Sequence, residues 1–205
     1  MSEAGILFIV SAPSGAGKTS LLRELLPTDE RLVLSVSHAT REMRPGEEDG
    51  RHYHFVSLER FEQMVGEGAF LEHARVFDNY YGTSEAAVRE PLAGGLDVVL
   101  EIDWQGALQV RQRFPGAVSI FIAPPDIEAL RERLSGRGQD SDETIERRMA
   151  DARSELSHYP EFDYLVINGV FDQALAELRA IVTAERLREP RQAARFGVEL
   201  AKMLG

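Results

Sequence analysis

Apolar and polar positions divide this chain into short blocks of two kinds. Continuous apolar runs rich in β-branched and aromatic residues read as strands buried on both faces. They fall at 5–10, 32–37, 96–102, 118–122 and 164–167. Between them apolar residues return every three or four positions, which predicts helices over 18–26, 58–65, 84–93, 105–113, 127–134, 142–157 and 171–187, with Pro27 stopping the first. Buried strands alternating with helices make an α/β fold, a central parallel sheet joined by right-handed crossovers. Two stretches fit the alternation poorly. Residues 41–82 are polar and loop-rich, with short strand signals at 53–56 and 70–77, and 136–141 is a polar, glycine-containing break between two arginine-rich helices. Inserts of this kind on a compact sheet are candidates for moving parts.

The turn after the first strand changes the picture from fold to chemistry. Ser11-Ala12-Pro13-Ser14-Gly15-Ala16-Gly17-Lys18-Thr19-Ser20 keeps the phosphate-loop spacing G-x-x-x-x-G-K-[ST], with Ala12 in place of the first glycine. Glycines let the backbone curl so that successive N–H groups face phosphate oxygens, and the following helix adds its positive end. Lys18 can reach the β- and γ-phosphates, and the Thr19 hydroxyl is placed to bind Mg²⁺. The strand before and the helix after are the context this motif needs, so a nucleoside triphosphate, ATP or GTP, is the expected ligand.

Composition sharpens that reading and excludes others. Of 23 basic residues, 21 are arginine and two are lysine, Lys18 and Lys202. Against such an arginine-rich background, a lysine in the loop marks a place for a compact ammonium rather than a planar guanidinium. The net charge of −11 argues against a broad DNA- or RNA-binding surface. Absence of cysteine excludes disulfides and thiolate metal sites, and the apolar runs fall far short of the ~20 residues of a membrane span. A cytoplasmic location without membrane association is therefore expected. His52 and His54 lack a third ligand nearby in sequence and are not read as a metal site.

A second constellation follows. Arg41 and Arg44 precede a Pro-Gly turn and suit a bidentate grip on a phosphate, to which Tyr53 can add a hydroxyl. Then come Phe70-Leu-Glu72-His-Ala, Asn79-Tyr-Tyr81-Gly-Thr83 and, at a strand end, Glu101-Ile-Asp103-Trp-Gln-Gly106. Glu72 and Asp103 can accept hydrogen bonds from a ligand, while the hydroxyls of Ser37 and Thr83 can donate them. A ligand whose donors and acceptors do not match loses about 1–3 kcal/mol for each buried mismatch. Asp103 can equally serve as a helix cap, and either acid of the Glu101/Asp103 pair could approach Mg²⁺ or its waters.

Taken together with Ser35-Val-Ser37-His-x-Thr-Arg41, Arg44-Pro-Gly-Glu, Phe121-Ile-x-Pro-Pro and Gly136-Arg-Gly-Gln-Asp-Ser, in that order along nearly the whole chain, these motifs resemble the guanylate kinase family, and closely its bacterial members. The resemblance implies a P-loop nucleoside monophosphate kinase: a single domain over 1–205, with a core of 1–34, 91–130 and 158–205, a GMP-binding region at 35–90 and a mobile lid at 131–157. It implies transfer of the ATP γ-phosphate to GMP, and to dGMP, with Mg²⁺ as cofactor. By the same resemblance Ser37, Arg41, Arg44, Tyr53, Glu72, Tyr81, Thr83 and Asp103 are GMP-binding residues, Ser11 to Ser20 bind ATP, and Arg137 and Arg148 join Lys18 as catalytic residues. Ala39, Glu101 and Asn168-Gly-Val depart from the common pattern, and the last leaves the adenine contacts open. Arg131 and Arg133 read as exposed helix arginines. A kinase of another phosphorylated acceptor such as a ribose phosphate, and a non-enzymatic phosphopeptide-binding module of guanylate kinase-like type, are the two other readings. The 191–204 segment reads as a helix that could pack on a neighbouring subunit, which leaves a homo-oligomer open.

Overall fold

The computed structural model describes residues 4–76, 78–135 and 142–205; Arg137, the expected break at 136–141 and Phe77 at the end of the 70–77 strand signal lie outside the described residues. Five strands form the parallel sheet: β1 (Leu7–Ser11), β2 (Leu32–Leu34), β7 (Asp97–Glu101), β8 (Val118–Ala123) and β9 (Tyr164–Ile167), in the order β2-β7-β1-β8-β9. Every residue of β1 and β8 is buried, as expected of strands covered on both faces. On one face α1 (Lys18–Leu25) and α7 (Phe171–Arg186) pack Leu21, Leu22, Leu178 and Val182 against Phe8, Val10 and Ile120. On the other, α3 (Glu85–Ala93) and α4 (Trp104–Arg113) close over Leu7, Ile9, Val98 and Leu100. The connections from β1 and to β8 leave in opposite directions, so the crevice beyond the C-terminal ends of β1 and β7 is the topological switch point.

The run expected as a strand over 32–37 leaves this sheet after Leu34. The Ser35 N–H still donates to the Val99 carbonyl at 3.0 Å, and the chain then crosses to a second sheet. That sheet, in the order β4-β3-β6-β5, joins β3 (His38–Ala39), β4 (His54–Phe55), β5 (Phe70–Val76) and β6 (Asn79–Ser84). Helix α2 (Leu58–Gly66) covers it through Phe61 and Met64, which meet Phe70. Between α5 (Ile127–Ser135) and α6 (Asp142–Leu156) lies a small separate core of Leu130, Leu134, Ile145, Met149 and Ala152. The C-terminal α8 (Glu189–Leu204) has no buried residue. Among the described residues no helix is long and apolar enough to cross a membrane.

One buried acid ties the starts of β7 and β1 to the end of α7. Asp97 is 1% exposed, accepts the Ile6 N–H at 2.7 Å and accepts Arg186 Nε at 2.6 Å, while Arg186 also pairs with Asp29. Removing Asp97 breaks a buried ion pair, leaves Arg186 with Asp29 alone and strips the Ile6 N–H of its acceptor. Asp97→Ala is therefore expected to cost about 3–5 kcal/mol in urea unfolding, and a loss below about 1 kcal/mol contradicts this role.

Candidate active site: two cavities that meet at one lysine

The loop between β1 and α1 is shaped by glycines at positive φ, 87° at Gly15 and 93° at Gly17, where Gly17 is the residue before the first helical turn. A Cβ on Gly17 would also stand 2.4 Å from Asn168 Nδ2, which donates to the Ala16 carbonyl at 2.7 Å. The buried amide of Asn168 thus braces the loop from behind. Ala12, Pro13, Ser14, Gly15 and Gly17 to Ser20 line a first cavity of about 550 Å³. Ser11 and Ala16 do not line it; both are buried, one ending β1 and the other held through its carbonyl. Glu101, Arg133, Asn168, Gly169 and Phe171 complete the walls.

The end of β7 serves this loop with three consecutive residues. Parallel pairing sets Glu101 beside Val10, one residue before the loop begins to turn. The Thr19 hydroxyl donates to Glu101 Oε1 at 2.5 Å, and the Lys18 ammonium donates to the Ile102 carbonyl at 3.2 Å. Asp103 turns away to cap α4, accepting the Gly106 N–H at 2.8 Å. The capping role and the site role are therefore compatible, because Asp103 also lines the second cavity.

That second cavity, of about 200 Å³, brings together Ser37, Arg41, Arg44, Tyr53, Glu72, Tyr81 and Asp103, together with Lys18 and Glu101. Glu72 reaches it through a bulge: β5 and β6 slip register between Phe70 and Glu72, leaving Leu71 as the extra residue. Arg113 Nη1 satisfies the Phe70 and Leu71 carbonyls at 2.9 and 2.8 Å, which anchors the bulge to α4. Glu72 is 4% exposed and accepts the Thr83 hydroxyl at 2.5 Å; the Ser37 hydroxyl lies 3.2 Å from that of Thr83. Thr83 stands behind Glu72 rather than on the cavity wall. Burial pushes the Glu72 carboxyl up to about 7, the Thr83 bond opposes this, and the charge of Asp103 adds to it.

Gly106 keeps the two acids close, since a Cβ there would fall 2.6 Å from Glu72 Oε2 and 3.4 Å from Asp103 Oδ1. Tyr53 and Tyr81 meet edge to face at 5.8 Å, and burial pushes the Tyr53 phenol up to about 12, so it is a neutral donor. Arg41 is held by Glu47 through two bonds of 2.6 Å and lies 5.0 Å over the Tyr53 ring. The Arg41 bonds bring Glu47 down to about 2. Glu47 also accepts the Arg44 N–H at 2.8 Å. It is a site residue that the phosphate-grip argument passed over, although it stands in the quoted Arg-Pro-Gly-Glu motif.

The helical layer over the first cavity holds one expected residue and one correction. Arg148, on α6, donates through Nη2 to the Ser14 hydroxyl at 3.1 Å. Arg131 is exposed, as read from the sequence, but its partner is Glu146 on the neighbouring α6 rather than an acid of its own helix. Arg133 does not behave as an exposed helix arginine: Nη2 donates to the Asn168 carbonyl at 2.8 Å and the side chain lines the first cavity. Helical spacing points it inward, toward the loop, and the run of arginines masked that in the sequence. Asn168 itself braces the loop, and Gly169 and Phe171 form the wall beyond it.

Both cavities share Lys18 and Glu101. Two cavities, one walled by the glycine-rich loop and one carrying the Arg41 and Arg44 guanidiniums, open onto the same ammonium. Such an arrangement suits passage of a charged group from one bound anion to another.

Comparison with known proteins agrees. A family model described as guanylate kinase matches residues 5–185. The chain is 59% identical over 201 residues to a guanylate kinase of Alkalilimnicola ehrlichii, covering 98% of this chain and 99% of that one. It is 58% identical over 200 residues to a guanylate kinase of Hahella chejuensis, covering 98% and 96%. The crystal structure of guanylate kinase from Anaplasma phagocytophilum superposes with a TM-score of 0.77 at 32% identity, covering 93% of this chain and 91% of that one.

The raised carboxyl of Glu72 has a checkable consequence. Between its ordinary value near 4.5 and the folded value of about 7, the folded state holds a proton that the unfolded chain has released. Stability contributed by this group therefore falls as pH rises through that window. Carboxyl-carbon NMR is expected to show Glu72 titrating near 7, and Glu72→Gln is expected to flatten the decline in unfolding free energy between pH 5 and about 7. A Glu72 midpoint at an ordinary carboxylate value contradicts the burial argument.

Proposed function

The chain belongs to the guanylate kinase family and transfers a phosphoryl group from ATP to GMP, and we propose the following division of labour among its residues. The observation that carries it is the sharing of Lys18 and Glu101 between the two cavities. ATP lies in the first cavity with its phosphates on the N–H groups of the 12–20 loop. GMP, and dGMP, which differs only by a ribose hydroxyl, lie in the second. The core is 1–34, 91–130 and 158–205, the acceptor region is 35–90, and 131–157 is the lid that closes over the donor.

Glu72 and Asp103 accept the guanine N1–H and amino donors, with Gly106 leaving room for both. Ionisation of Glu72 accompanies that recognition, because two guanine donors replace the solvent it lost. Ser37 and Thr83 orient Glu72 and the O6 side of the base. Arg41, Arg44 and the neutral hydroxyls of Tyr53 and Tyr81 hold the acceptor phosphate; Glu47 keeps the Arg41 fork flat and aimed.

Phosphoryl transfer asks for alignment and charge stabilisation rather than covalent chemistry. The acceptor phosphate is already anionic near neutrality, its second pKa being ~6, so no general base is assigned. Lys18 spans the two phosphates, and Arg148, Arg137 and Arg133 offset charge on the transferring group. Closure of the lid excludes water, which otherwise competes as acceptor. Thr19 and Glu101 present a hydroxyl and a carboxylate side by side, the hard oxygen donors that Mg²⁺ takes together with substrate phosphates. Thr19 and Glu101 would hold Mg²⁺, whose chemistry would be to offset charge on the phosphate oxygens, and Asp103 is left to the base.

Initial rates with MgATP and a panel of GMP, AMP, CMP, UMP and ribose phosphates test this reading. GMP is expected to be preferred over AMP by at least ~10³-fold in kcat/KM. Glu72→Gln is expected to lower kcat/KM for GMP by roughly 5- to 150-fold, the equivalent of one buried mismatch, with KM for ATP within about twofold. Comparable rates across the panel contradict the acceptor assignment, and equal damage to both substrates contradicts the role of Glu72.

A further inference from the structure

One carboxylate bonded to the phosphate-binding loop has no part in the chemistry above. Glu155, near the end of α6, accepts the Ser14 N–H through Oε2 at 3.1 Å. Its carboxyl is raised by burial, while the Ser14 N–H and the charge of Lys18 act to lower it. Retaining a partly desolvated acid beside a loop that must attract phosphates is electrostatically unfavourable, so its presence calls for a compensating role. Ser14 receives a second contact from the same helix, Arg148 Nη2 to its hydroxyl at 3.1 Å. Positions 148 and 155 are seven apart, two turns of one helix, and therefore share a face.

We propose that Glu155 is a positioning residue: its bond to the Ser14 N–H seats α6 on the phosphate-binding loop and so sets where Arg148 is delivered. This deepens the reading above and rests on Arg148 acting on the ATP phosphates. Seating by one amide fixes the register of the helix along the loop, which packing of Met149 and Ala152 on Leu130 and Leu134 does not. Just beyond the end of α6, three residues after Glu155, His158 stacks on Trp104, the first residue of α4, with ring centroids 3.6 Å apart and planes 8° apart. Those contacts remain when Glu155 is changed, so α6 stays docked in the fold and loses only its directional tether to the phosphate-binding loop. What the role demands of residue 155 is an acceptor oxygen at glutamate length, not a charge.

Steady-state kinetics of Glu155→Gln, Glu155→Asp, Glu155→Ala and Arg148→Ala, with the pairing of the last two, test the inference on the intact chain. Gln keeps the acceptor and the length and is expected to stay within about threefold of the parent kcat, whereas Asp and Ala lose about tenfold or more, with KM for GMP within about twofold. The double variant is expected to be no slower than Arg148→Ala alone, since residues acting through one another do not add. An impaired Gln variant beside an active Asp variant overturns the proposal, because charge rather than reach is then what matters. So does a lowered KM for ATP with parental kcat in Glu155→Ala, which identifies the carboxylate as a competitor of phosphate. Parental turnover in Arg148→Ala removes the arginine reading and this inference together; parental turnover in Glu155→Ala, with turnover lost in Arg148→Ala, overturns this inference alone.

Discussion

The bond from the Lys18 ammonium to the Ile102 carbonyl is the contact on which the arrangement turns. Two phosphate esters, both anionic, have to approach within reaction distance inside a chain of net charge −11. A compact cation at the point of approach lowers that repulsion, and it acts there only if something fixes its long side chain. The carbonyl that fixes it belongs to Ile102, the first residue after β7, which stands between two acids. Glu101 on one side answers Thr19 and the donor cavity, and Asp103 on the other faces the acceptor cavity. Parallel pairing of β7 with β1 therefore sets the loop, its lysine and both acids in one frame.

Around that frame, burial is used against stability. Glu72 is enclosed far enough to hold its proton near neutrality, and the enclosure is set by a strand bulge, an arginine bracing the bulge and a glycine whose missing side chain lets the carboxyl pack against α4. A carboxyl in that state costs folding free energy that a solvated one does not. Occupation by a base offering two donors relieves the cost. Arg41 is prepared in the opposite way: it is satisfied in advance by Glu47 and an aromatic face, so that its fork is already rigid when an anion arrives.

The main sheet was legible because its strands are buried on both faces and read as unbroken apolar runs, and the donor loop because glycine spacing and a lone lysine leave few other meanings. Strand β6 was not read as a strand. Its residues, Asn79 to Ser84, mix asparagine, glycine and hydroxyls, and its pairing with β3, only two residues long, is decided by distant contacts rather than local pattern. The inward turn of Arg133 was hidden for a related reason: in an arginine-rich helix pair the periodicity marks a polar face without saying which member reaches back to the loop. Gly106 and Glu155 act through close contacts between segments far apart in sequence, 2.6 Å from the place of a Cβ on Gly106 to Glu72 and 3.1 Å from Glu155 to Ser14, and Glu47 through a local fold-back onto Arg41. A single sequence shows their types and spacing, but not that Gly106 lies against Glu72 or that Glu155 meets Ser14.

A crystal structure with a dinucleoside polyphosphate joining adenosine to guanosine reports on the junction most directly. The account predicts guanine between Glu72 and Asp103, adenine on the far side of the 12–20 loop, and a phosphate oxygen within about 3.2 Å of Lys18 Nζ. Guanine seated against Gly169 and Phe171, or a phosphate chain that bypasses Lys18, would contradict it.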